Sequence, residues 1–214
     1  MSAVASFMAR FGARLVANGY AVIPIQPGTK KPGCHRGGQW RDYPAWTRHA
    51  ERATTELELR LWNDWPSAGV GIVGGAVAAV DIDITDDAGL ALRIEQLARE
   101  RLGDTPALRI GRAPKRLLVY RTMEPFKGIK RHPLEVLCLG QQFVAYAVHP
   151  VTNRPYEWPE DSLADLDLTV PLRRGFQLPT CFTPTVAPSA MSVRRDSPRH
   201  MTVFPGGGSL ARAR

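Results

Sequence analysis

Val80-Asp81-Ile82-Asp83-Ile84 alternates apolar and acidic side chains with the period of a β-strand. Asp81 and Asp83 then share one face, and Val80, Ile82 and Ile84 share the other. Two carboxylates side by side repel unless a cation lies between them. Hard cations such as Mg²⁺ take oxygen ligands, and nucleotide phosphates complete their coordination. Metal-assisted phosphoryl or nucleotidyl transfer is the natural use of such a pair. D-x-D is short and recurs by chance, so a solvent-facing edge strand whose acids bind nothing accounts for these five residues equally well.

Upstream, Val70-Gly71-Ile72-Val73 and Ala76 to Ile84 flank Gly74-Gly75, a pattern that predicts a β-hairpin with a two-residue turn. Gly69-Val70-Gly71-Ile72-Val73-Gly74 also fits G-x-G-x-x-G. That fingerprint belongs after a strand and before a helix, whereas Asp64-Trp65-Pro66-Ser67 precedes it here and a β-rich segment follows. Downstream, Asp86-Asp87 caps a predicted helix from Ala88 to Arg101 with Leu90, Ile94 and Leu97 on its buried face. Strands are predicted at Ala107–Ile110, Arg116–Arg121, Leu134–Leu139 and Gln142–Val148. In Leu134-Glu135-Val136-Leu137 the apolar residues would face the core and Glu135 the other side. Should that strand lie near the D-x-D strand, three carboxylates meet on one sheet face. On its own Glu135 is more simply an exposed strand acid.

Between these acids run Arg109, Arg112, Lys115, Arg116, Arg121, Lys127, Lys130 and Arg131, offset only by Glu124. Guanidinium forks and ammonium groups suit a triphosphate or a nucleic-acid backbone. A solvated basic face is the plainer alternative.

The N-terminal part reads as a helix over Ala3 to Asn18, a short strand over Tyr20 to Ile25, a polar loop through Trp40 and Trp46, and a helix from Thr54-Thr55 to about Trp65. From Leu172 onward seven arginines face one acid, which puts +6 of the net +8 charge in the tail. Residues 1–171 are thus nearly neutral, and any phosphate-binding surface there must rest on local clusters. Five prolines and Gly206-Gly207-Gly208 lead us to expect that 172–214 is a disordered basic tail. No run of 18 apolar residues and no signal-peptide layout occurs, so no membrane partner is expected and a cytoplasmic location is the default. Cys34, Cys138 and Cys181 are far apart, which suggests neither a disulfide framework nor a zinc ribbon.

In order along residues 5–160, these features resemble the bifunctional primase-polymerase N-terminal domain of the archaeo-eukaryotic primase superfamily. The likeness is carried by Val22-Ile23-Pro24, Gly28-Thr29-Lys30-Lys31-Pro32, Trp46, Gly69-Val70-Gly71-Ile72, Val80-Asp81-Ile82-Asp83, Thr105-Pro106, Leu134-Glu135-Val136-Leu137 and Pro155-Tyr156-Glu157-Trp158. The resemblance implies an α+β domain over residues 1–171, with a mixed or antiparallel sheet, an RRM-like core and an N-terminal αβ unit. It implies that Asp81, Asp83 and Glu135 ligate two metals, Mg²⁺ or Mn²⁺, that activate a 3′-hydroxyl and steady the triphosphate. Substrates would be NTP or dNTP on a single-stranded DNA template, in phage or plasmid-type replication. The family's second motif places a histidine near the phosphates, and Gly111 to Tyr120 contains none. Lys115 or Arg116, with Arg112 beside them, would supply a permanent cation there instead. In this family a helicase often follows the module, and none follows in this chain. A helicase on a separate chain is one reading, and a truncated sequence is the other. Two rivals stand beside the polymerase: a nucleic-acid-binding module of the same fold without catalysis, and a metal-dependent sugar-nucleotide transferase.

Overall fold

The computed structural model describes residues 5–169. In chain order it contains α1 (Phe7–Ala17), β1 (Val22–Ile25), β2 (Gly33–Arg36), β3 (Gln39–Asp42), α2 (Glu56–Asn63), β4 (Gly69–Val73), β5 (Val77–Ile82), α3 (Ala88–Leu102), β6 (Leu108–Arg109), β7 (Arg116–Arg121), β8 (Ile129–Arg131), β9 (Leu134–Leu137) and β10 (Gln142–Tyr146). A five-stranded sheet has the order β6-β7-β5-β9-β8, a three-stranded sheet the order β1-β4-β10, and β2-β3 form a separate ribbon. Every ladder is antiparallel. The fold is α+β, as expected. The expected tail over 172–214 lies outside the described residues. Among the described residues no helix is long and apolar enough to cross a membrane.

Strand alternation sorts the five-stranded sheet into two faces. Ala78, Val80, Ile82, Leu118 and Tyr120 pack with Ala91 of α3 on one of them. Val77, Ala79, Leu117 and Val119 join Met8, Leu15, Val22, Val70 and Ile72 in the main core on the other. Helix α1 lies across β1, β4 and β10, its N-terminus capped by Ser6 accepting from the Ala9 amide at 3.2 Å. It stops at Asn18, where Gly19 turns with φ +86°.

Helix α2 begins with a reciprocal capping box. Thr55 Oγ1 accepts from the Glu58 amide at 3.2 Å, and Glu58 accepts from the Thr55 amide at 2.9 Å. Arg52 grips the same carboxylate with two bonds, of 2.5 and 2.8 Å. Arg52 first, then the cap, hold the Glu58 carboxyl down to about 2. A depressed carboxyl contributes stability above its ordinary titration range and loses it as pH falls toward the folded value. Both partners are partly solvated, so the contribution is about 1–2 kcal/mol after screening. Glu58→Gln should therefore destabilise by that amount at neutral pH, with the gap to wild type closing between about pH 5 and pH 2. Urea titrations across that range measure it. A gap that does not change with pH would remove the ion pair from the explanation.

Three expectations are corrected. The segments flanking Gly74-Gly75 are strands but not a hairpin. β4 has β1 and β10 on its two edges, and β5 has β7 and β9, so neither retains an edge for the other. Gly74-Gly75 is instead a crossover between sheets. The polar loop before Trp46 contains the β2-β3 ribbon, closed by Gly37 and Gly38, both at positive φ. On α3, Leu90 and Ile94 pack against the sheet as expected, but Leu97 is 49% exposed and the most buried positions are Ala91 and Glu95. Small Ala91 seats the helix on the sheet, and buried Glu95 binds two arginines. β8 was not anticipated.

Candidate active site

β5 is the middle strand of its sheet, and the register places Asp81 opposite Glu135 of β9 and opposite Leu117 of β7. Cross-strand partners share a face, so Asp81 and Glu135 stand on the same side. Asp83 follows β5 on that side, its amide donating to the Pro133 carbonyl at 2.8 Å. The three acids singled out in the sequence thus occupy one end of one sheet face. Their carboxylates do not close on a common point: among the described residues no three His, Cys, Asp or Glu side chains form such a group. Asp83 pairs with Lys115 and Glu135 with Lys130. Asp81 is half-buried. Burial pushes its carboxyl above the ordinary range and Glu135 adds to the rise, while Arg109 and Lys30 oppose it.

Four cations come to this end of the face from three parts of the chain. Arg109 on β6 sits opposite Leu117, hence on the Asp81 side. Its guanidinium donates to the Val144 carbonyl and lies 4.6 Å from the centre of the Tyr156 ring. Burial lowers its pKa and Asp81 partly restores it, yet an arginine remains cationic. Lys30 arrives from the turn after β1, where Gly28 has φ +67°. Gln142 holds that turn, donating from Nε2 to the Lys30 carbonyl at 2.9 Å. Burial and the neighbouring Arg109 pull the Lys30 pKa down. Arg112 and Lys115 belong to the loop before β7, and with Lys30, Asp81, Arg109, His149 and Tyr156 they line a polar recess of about 40 Å³.

His149 and Tyr156 enter from the segment after β10. Ile110 and Glu157 exchange two backbone bonds of 2.9 and 2.8 Å, which bring that segment against β6. A Cβ on Gly111 would lie 2.3 Å from the Tyr156 ring and 3.0 Å from His149, so only glycine permits this approach. His149 Nδ1 accepts from the Val151 and Thr152 amides at 3.2 and 3.3 Å. That leaves Nε2 to carry the proton. Burial, then Lys30, Arg109, Arg112 and Lys115, hold its pKa below the usual range. The ring is neutral at physiological pH.

Arg116 also lines this recess, but its guanidinium is turned away from the cluster. Arg116 is opposite Ile82 in the register, and so faces α3. Its guanidinium donates to Glu95 and to the Pro114 carbonyl at 3.1 Å. Both members of that ion pair are only 11% exposed. Removing one partner strands a buried charge, although Glu95 keeps Arg99 at 3.0 Å. Arg116→Met should lower stability by about 2 kcal/mol and leave nucleotide affinity within about twofold. A tenfold loss of affinity at unchanged stability would return Arg116 to the phosphates.

Lys30, Arg109, His149 and Tyr156 were not placed in the site from sequence. Each carried a faint signal: Lys30 and Tyr156 stand in the family-like segments, Arg109 opens the basic window, and His149 follows a predicted strand. Only the folded register shows that they meet.

Acidic oxygen donors thus lie at the centre of this face, with cations along one side of them. The family of bifunctional DNA primase/polymerase N-terminal domains matches residues 13–173, and the chain belongs to that family. Nucleotidyl transfer is the family's general chemistry, with nucleic acid and nucleotides as its substrates and divalent metal as its usual cofactor. No curated protein matches the chain.

Proposed function

We propose that this protein is a template-directed, metal-dependent nucleotidyltransferase that makes or extends primers on single-stranded DNA during phage or plasmid-type replication. The observation that carries this is the Asp81–Glu135 register pair, ringed by Lys30, Arg109, Arg112 and Lys115. Like charges directly opposite each other on a sheet are unfavourable without a cation. Their oxygen donors suit Mg²⁺ or Mn²⁺, and Asp83 would join them as the third ligand on leaving Lys115. When bound, such metal supplies Lewis acidity to the 3′-hydroxyl and the phosphates.

The chain's own residues do the rest by position and charge. Lys115 and Arg112 bind the triphosphate, and Lys30 approaches it from the opposite wall. His149 offers a neutral N–H donor where a charged imidazolium would add nothing to four cations. The primer 3′-oxygen forms its bond to the α-phosphorus as the bond to pyrophosphate breaks. The cations take up the negative charge of the leaving group. Lys115, paired with Asp83 in this structure, exchanges that carboxylate for phosphate when nucleotide and metal enter.

The test is incorporation of labelled NTPs and dNTPs on single-stranded DNA, with and without an annealed primer, in Mg²⁺ and in Mn²⁺. Product establishes the polymerase, and the primer requirement separates priming from extension. DNA binding without product in any condition would favour the binding module of the same fold, which the absence of a histidine from residues 111–120 would then explain. A replicative helicase is the partner this reading calls for.

A further inference from the structure

Beside the cationic recess lies a second one of about 90 Å³, which shares Asp81, Lys30, Arg109 and Tyr156 and adds Leu117, Leu137 and Gln142. Its polar wall contains two unsatisfied groups. Gln142 Oε1 and Arg109 Nε are both buried with no hydrogen-bond partner. Buried polar atoms are nearly always paired, and an orphaned donor and an orphaned acceptor in one recess point to a ligand that supplies both partners. Gln142 Nε2 and Arg109 Nη1 are already engaged, on the Lys30 and Val144 carbonyls. Each side chain is thereby tethered while still presenting an unpaired polar atom.

The size and lining narrow the ligand. A recess of this volume admits several hydroxyl-sized groups. Leu117, Leu137 and the Tyr156 ring provide a carbon-lined wall, while Gln142 needs a hydroxyl that donates and Arg109 one that accepts. Adjacent hydroxyls on a five-membered sugar meet all three requirements, whereas a deoxyribose has only one.

From this we infer that Gln142 and Arg109 form a subsite for the ribose 2′,3′-diol, and that Gln142 sets a preference for ribonucleotides over deoxyribonucleotides. The inference rests on the nucleotidyltransferase reading for the identity of the ligand, and it assigns the sugar to the Gln142 side of Asp81 and the phosphates to the Arg112 side.

The test compares equilibrium binding of ATP and dATP in Mg²⁺ without DNA, alongside incorporation by the same preparation. One hydrogen bond to the extra hydroxyl predicts an affinity ratio of about 5- to 10-fold in favour of ATP. Gln142→Met, which removes the acceptor, should bring that ratio to about one. Gln142→Glu keeps an acceptor while losing the bond to the Lys30 turn, and should preserve the ratio even if both affinities fall. A wild-type ratio near one overturns the subsite. So does a ratio that survives in Gln142→Met, or one lost equally in Gln142→Glu, which would assign Gln142 to supporting the turn. An ATP preference without incorporation on any DNA would sustain the subsite and sink the polymerase reading. Failure to bind either nucleotide would overturn both.

Discussion

Asp81→Asn should reduce nucleotide incorporation by a factor of about 10³ or more, roughly 4 kcal/mol of transition-state stabilisation, while the protein remains folded. Asparagine has the same shape as aspartate and keeps one oxygen, but loses the charge that a divalent cation requires. Asp81 is the acid that the other groups surround: Glu135 is its register partner, and Lys30 and Arg109 share its recess. Its charge is costly where it stands, since burial and Glu135 both oppose ionisation. A structural role would not require that cost, because a neutral amide would sit there more easily. Removing the charge eases the repulsion with Glu135 and leaves Arg109 with less compensation, so the melting temperature should change by only a few degrees. Asp83→Asn, at a position whose side chain is 42% exposed, should cost less, about 10²-fold. Single-turnover incorporation, read beside DNA affinity and thermal melting, separates these effects. Asp81→Asn with wild-type turnover would end the catalytic assignment of this face.

The D-x-D strand was legible because its period is two and its partners alternate likewise. Once Asp81 and Asp83 share a face, Val80 and Ile82 must lie on the opposite one, against α3, as they do. Glu135 followed from the same alternation in a second strand. The caps were equally local: Asp87 accepts from the Leu90 amide at 2.8 Å, and Thr55 and Glu58 close their box within four residues. Misjudged features depend on residues distant in the chain. Arg116 looks like a phosphate ligand until buried Glu95, on another element, is found holding it. Leu97 fits the helical stripe, yet the face that meets the sheet runs through Leu90, Ala91, Ile94 and Glu95 and leaves Leu97 outside. Arg109 reaches the site through the β6–β7 register, and His149 and Tyr156 through the Ile110–Glu157 pairing. Gly74-Gly75 misled for the same reason. A glycine pair between apolar runs suits a tight turn, and nothing local reveals that each run already has two other neighbours.

That glycine pair yields the largest expected effect on stability. Gly74→Ala should destabilise by about 3 kcal/mol or more, lowering the melting temperature by about 6–12 °C. The added Cβ would lie 2.2 Å from the Cys138 carbonyl oxygen and 2.6 Å from its carbon. The obstacle is backbone, so no side-chain rotation relieves it. Cys138 cannot retreat easily, because it is fully buried and its amide donates to Gln141 Oε1 at 3.2 Å. The Gly74 amide in turn donates to the Gln141 carbonyl at 2.9 Å. The crossover from β4 to β5 and the turn from β9 to β10 are therefore fitted to each other through one missing side chain. Gly75→Ala supplies the contrast. Its Cβ meets nothing nearer than 3.7 Å, and the strain there comes only from φ +154°, worth about 1–3 kcal/mol. Should Gly74→Ala melt within 2 °C of wild type, the close approach to Cys138 would not constrain the fold. If it melts early as expected, incorporation measured well below the transition should fall as well, because the displaced turn leads directly into Gln142 and the Lys30 carbonyl it holds.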